Sequence, residues 1–164
     1  MEAVSKTAER EIVITRTVKA PRVLVWQVCT DPQHIDRWWG PNGFTNKTLS
    51  FELRVGGQWK YTMTSEEGQI FPNLITYTEV TPIDRLAYDH GDWENPKQFV
   101  GSLTFTDAEG GTLITLHTIF PTKEARDEVV EKYGAIEGGK QTLGRLANYL
   151  ELHGREVSRP EQDA

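Results

Sequence analysis

Trp59, Tyr61 and Met63 occupy alternate positions of one segment, so a strand there would present all three side chains on a single face. A face of that kind, aromatic with one hydroxyl, suits the lining of a small-molecule pocket and equally suits a filled core. Phe51 on the preceding segment, Phe99 further along, and Tyr133, Ile136 and Leu143 near the C-terminal end would extend it. Tyr77 and Tyr88 add hydroxyls that need partners once buried. A ligand could supply those partners, and so could Asn73 or Glu79. Trp39 follows Trp38 directly, and adjacent helical residues diverge by about 100°, so the expectation is Trp39 inward and Trp38 packed outside. Trp93 lies in the short loop GDWENP, the best lid in the chain, although one ring on a loop serves as readily for packing or a dimer contact.

Acid–base chemistry has one weak candidate, Glu137, with His90 or Tyr88 across the interior. A carboxyl facing an apolar space would have a raised pKa and could exchange protons near neutrality. The bland alternative is a Glu137 that caps backbone amides or meets water. His34, His90, His117 and His153 include no pair at helical metal-site spacing, and Cys29 has no CxxC partner, so neither a metal nor any other cofactor is expected. No G-x-S-x-G occurs, and the glycines at 56–57 and 138–139 do not form a phosphate loop.

Composition narrows the partners. In 164 residues there are 18 Lys+Arg against 24 Asp+Glu, a net charge of -6, which argues against a nucleic-acid surface because that affinity comes from clustered cations. A single cysteine and a start without a basic-then-apolar leader suggest a reducing, cytoplasmic setting. No apolar run approaches membrane-spanning length.

The elements that must position these residues can be read from periodicity. Ile12 to Val18 suggests a strand. Pro21 opens a short helix through Cys29, and Asp31-Pro32 caps a second that runs to Gly40-Pro41. Leu49, Phe51 and Leu53, then Gly56-Gly57, then Trp59, Tyr61 and Met63 read as a hairpin. Four further strands are expected at Ile70 to Val80, Arg85 to His90, Phe99 to Thr106 and Thr112 to Phe120. After Pro121 the period changes to that of a helix, with Val129, Tyr133, Ile136, Leu143, Ala147 and Leu150 on one face and a break expected within 134–139. The result is one α+β domain over 11–152: a curved seven-stranded antiparallel sheet, two short helices after the first strand, and a long helix across the concave face. Flexible polar tails are expected at 1–10 and 153–164. Leu113, His117 and Ile119 share the outer side of the last strand, a possible homodimer surface.

This order resembles the helix-grip fold of the START-like, birch-pollen-allergen-like (SRPBCC) superfamily. Within it the chain is similar to the family named for the activator of heat-shock protein 90 ATPase homologue, C-terminal-type domain. The stretches that match are APRVLVWQVCTDPQHIDRWWGPNGF at 20–44, LRVGGQWKYTM at 53–63, TYTEVTPIDRLAY at 76–88, TLITLHTIFPTKEARDEV at 112–129 and EGGKQTLGRLANYLE at 137–151. The resemblance implies a cavity between sheet and long helix that takes a small hydrophobic or amphipathic ligand. It implies a chaperone partner by name only, and superfamily cyclases raise the alternative of an enzyme acting on polyketide-like aromatics. Such proteins often carry Trp after the Glu-Gly of the last segment. Gly139 stands there instead, which should widen the cavity mouth or bring the helix closer to the sheet.

Overall fold

The computed structural model describes residues 8–158, with side-chain surroundings given as far as residue 152. Of the expected tails, 1–7 and 159–164 lie outside the described residues. Residues Ala8–Arg10 form a single 3-10 turn that leads into β1 (Glu11–Val18). Two short helices follow, α1 (Arg22–Thr30) and α2 (Pro32–Ile35). Asp31 caps α2 by accepting from the Gln33 amide at 2.9 Å, with Pro32 at the first helical position. Six strands come next: β2 (Thr45–Phe51), β3 (Gln58–Thr64), β4 (Ile70–Thr81), β5 (Arg85–Gly91), β6 (Phe99–Ala108) and β7 (Gly111–Ile119). The chain ends in α3 (Lys123–Tyr133) and α4 (Ala135–Ser158).

All seven strands join one antiparallel sheet in the order β1-β7-β6-β5-β4-β3-β2. The long helix α4 lies across the concave side of this helix-grip fold, where Leu143 and Leu146 are almost fully buried. α4 meets β1 at one margin of the sheet and the loop that leads into β2 at the other. At one margin Gly139 passes so close to Ile14 of β1 that a Cβ on residue 139 would sit 2.9 Å from Ile14 Cγ1. At the other, Asn42, just before β2, donates its amide to Gln141 Oε1 at 3.1 Å. Of the two outcomes expected from Gly139, the structure takes the closer approach of helix to sheet.

Several local expectations differ. The second helix stops at Ile35, five residues early, because the chain turns at 36–38. Trp38 is therefore not outside but wholly buried, its Nε1 donating to the Val28 carbonyl at 3.0 Å. Trp39 is buried too, because α1 covers one ring and the sheet covers the other. In β2 a bulge between Thr48 and Ser50 turns Leu49 outward, 49% exposed, and gives the inward place to Thr48. The C-terminal break falls at Gly134, in the left-handed conformation at φ 61°, which ends α3 as glycine commonly does. The helical face does not continue across that break, so Tyr133 is 74% exposed. α4 also runs six residues beyond the expected boundary at 152.

Candidate functional site

Ten of the expected lining residues do share the concave side. Register puts Phe51, Trp59, Ile75 and His90 in one row across β2 to β5, with Phe99 of β6 opposite His90. Tyr61, Met63, Tyr77 and Tyr88 lie on the same face of their strands, and Trp39 and Leu143 cover them from the turn after α2 and from α4. Ile136 packs, partly buried, against this core from the start of α4. Three expected residues are elsewhere. Tyr133 faces solvent. Glu137 is exposed on the outer side of α4, so no apolar interior surrounds its carboxylate. Trp93 stacks over Lys60, whose Nζ is 4.6 Å from the ring centroid. Because Lys60 alternates with Trp59 and Tyr61, that contact is on the convex face, and Trp93 does not cover the interior.

The inward rings are held by a chain of polar contacts. Trp39 Nε1 donates to the Tyr61 hydroxyl at 2.9 Å, Tyr61 lies 3.4 Å from His90 Nε2, and His90 Nε2 lies 3.0 Å from Asn73 Oδ1. Since the amide oxygen can only accept, His90 carries its proton on Nε2. Trp59 stacks on Tyr61 with centroids 4.0 Å apart and donates to Thr48 Oγ1 at 3.0 Å, while Thr48 donates to Asp36 Oδ1 at 2.5 Å. Asn73 thus serves His90 rather than a tyrosine, and Glu79 is occupied by Arg85 and Thr81.

Burial sets the electrostatics. It drives the phenols of Tyr61, Tyr77 and Tyr88 and the thiol of Cys29 upward, so all four stay protonated, and it pushes His90 down to about 4. The interior is neutral at physiological pH. Arg145, also lowered by desolvation, turns away from it and donates to the carbonyls of Trp39, Gly40 and Pro41 at 3.2, 3.0 and 2.9 Å. Among the described residues no three His, Cys, Asp or Glu side chains are grouped to hold a metal, and no helix is long and apolar enough to cross a membrane.

Sequence reasoning named Asn73 as a partner for a tyrosine, whereas it holds His90, and it missed Thr48 and Asp36 as groups that fix the rings. Asn73 shares parity with Ile75 and Tyr77. The other two depend on the bulge in β2, which has no signature in the sequence.

With this geometry in view, the family model described as Activator of Hsp90 ATPase homolog 1-like protein matches residues 19–151. The chain belongs to that family. Members of the wider fold have been solved. A crystal structure from Mycobacterium smegmatis is 26% identical, covers 93% of this chain and 98% of its own, and superposes with a TM-score of 0.80. One from Nitrosomonas europaea is 25% identical, covers 90% and 97%, and gives 0.78. DynU16, a putative protein in the dynemicin biosynthetic locus, is similar in fold at 24% identity and a TM-score of 0.65, covering 87% of this family member and 47% of its own chain. No curated protein matches the sequence.

Proposed function

We propose that this family member is a non-catalytic binding protein that takes a small hydrophobic or amphipathic molecule between the sheet and α4. The observation that carries the reading is an uneven seal on the concave face. At the end closed by α1, Leu86, Leu103, Phe105 and Ile114 are at most 2% exposed. At the opposite end Met63, Asn73, His90, Phe99, Leu116 and Thr118 are only partly buried. Apolar groups left accessible on a concave, aromatic face are what a hydrophobic ligand would cover, at about 25 cal/mol per Å² removed from water.

An enzymatic reading of the same interior finds less support. Glu137 is outside it, the Cys29 thiol is fully buried and held protonated, and His90 is too weak a base for proton abstraction near neutrality. Titration with lipids and uncharged aromatics, followed by tryptophan emission and melting temperature, tests the binding reading. A saturable change with at least one class is expected. No response to any class overturns it.

A homodimer through the convex face is a separate proposal. It is supported by Val13, 53% exposed beside the Leu113, His117 and Ile119 row. Leu113→Lys should lower the mass seen by light scattering, and an unchanged mass removes that surface. A chaperone partner has only the family description behind it.

A further inference from the structure

Tyr88 stands opposite Gly101, and its ring lies flat over that glycine. A Cβ on residue 101 would meet the ring at 2.5 and 2.7 Å and the hydroxyl oxygen at 2.8 Å. Only glycine leaves room for this pose. Gly101 in turn pairs with Thr118 of β7, so the phenol is carried across β6 into the part of the concave face where Leu116 and Thr118 are incompletely covered. The residue as a whole is 4% exposed. Its hydroxyl has no hydrogen-bond partner among the described residues. It is also not sealed: Asn46 Oδ1 is the one buried side-chain oxygen or nitrogen among the described residues that is both sealed and unpartnered. The Tyr88 hydroxyl therefore keeps some accessible surface, and it has a bond to give. Tyr77 directly opposite on β4 is in the same condition.

We infer that Tyr88 is the polar recognition point of the interior, donating to the carbonyl oxygen of an uncharged aromatic ketone- or quinone-type ligand. The inference rests on the binding reading above and narrows its ligand class. A neutral phenol donates more readily than it accepts, and the Tyr77 phenol on the paired residue opposite is a donor as well. The fully buried residues include no charged side chain, so a carboxylate or ammonium carried inside would lose its hydration without a counter-ion. A carbonyl oxygen takes the bond without that cost.

Matched probes separate this assignment from the cavity itself: 9-fluorenone against fluorene, and 1-indanone against indane, each titrated by tryptophan quenching and calorimetry. The ketone of each pair is expected to bind about five- to tenfold more tightly, the worth of one net hydrogen bond. Tyr88→Phe should erase that ratio while hydrocarbon affinity and melting temperature stay near those of the unaltered protein. Gly101→Ala, which displaces the ring, should lower ketone affinity without removing the hydroxyl. Equal affinity for ketone and hydrocarbon, or a preference that survives Tyr88→Phe, overturns the role of Tyr88 and leaves the binding reading standing. Failure of all four probes to bind overturns both.

Discussion

Arg145 Nη1 lies 3.2 Å from the carbonyl oxygen of Trp39 and within bonding distance of the next two carbonyls, so one guanidinium of α4 fixes the turn that aims the Trp39 ring. Of these acceptors, the Trp39 carbonyl also accepts from Asn46 Nδ2 at 2.8 Å and the Pro41 carbonyl from the Phe44 amide at 3.3 Å, so the Gly40 carbonyl is the one that relies on Arg145. Arg145→Ala should cost about 1–2 kcal/mol, since it leaves the Gly40 carbonyl without its donor, and the loss is read from chemical denaturation. Arg145→Lys should recover only part of it, because an ammonium on a flexible stem does not hold the fork geometry. Full recovery by lysine would show that charge alone suffices.

Gly139→Ala tests the close approach of helix and strand. Alanine gains about 1 kcal/mol of helix propensity over glycine, yet its Cβ would press on Ile14 Cγ1 at 2.9 Å. Overpacking costs about 1–3 kcal/mol, so a net loss is expected in the unaltered protein. In an Ile14→Ala background, where the opposing atom is gone, the same change should become stabilising. The sign reversal in a double-mutant cycle is the measurement.

His90 gives a pH dependence with a definite sign. Its folded-state pKa, about 4, lies below the ordinary 6.5, so between those values the unfolded chain binds more protons than the folded one. Stability is therefore full above 6.5 and falls as the pH drops towards 4, by about 1–3 kcal/mol in total. His90→Gln, which keeps a donor for Asn73, should flatten that part of the stability profile. A profile unchanged by the substitution would assign the slope to other groups.

Trp38 and Trp93 should behave oppositely. Trp38 is fully buried and Trp93 is 43% exposed. Trp38→Ala should cost about 3–5 kcal/mol, the range for emptying a large aromatic site. Trp93→Ala removes an exposed stack on Lys60, worth about 0.5–1 kcal/mol, and should leave the affinity for 9-fluorenone unchanged. A large fall in that affinity would return Trp93 to the ligand site.

The architecture was legible because strand and helix periods differ, and alternation at Trp59, Tyr61 and Met63 is enough to choose a face. What stayed hidden depends on events that periodicity cannot carry. A single bulge in β2 exchanged Leu49 for Thr48 on the inner face. The left-handed glycine at 134 reset the helical face and released Tyr133 to solvent. Trp38 and Trp39 both turned inward because two different elements cover them, whereas a continuous helix would have allowed only one. Trp93 crossed to the convex face because Lys60 and the Asn73 carbonyl, which accepts from its Nε1 at 3.1 Å, are its partners. None of these displaces an element, and each changes which side chains reach the interior.

The pairing of β1 with β7 bears on how the chain is made. Among the described residues Glu11–Val18 finds its strand partner roughly a hundred residues later, and Leu143 and Leu146 of α4 come later still, a separation that slows closure of the sheet. On the ribosome the first strand must therefore wait, with Ile12 and Ile14 uncovered, until nearly all of the domain has emerged. The interval before release is when this protein is most prone to aggregate or to be held by a general chaperone.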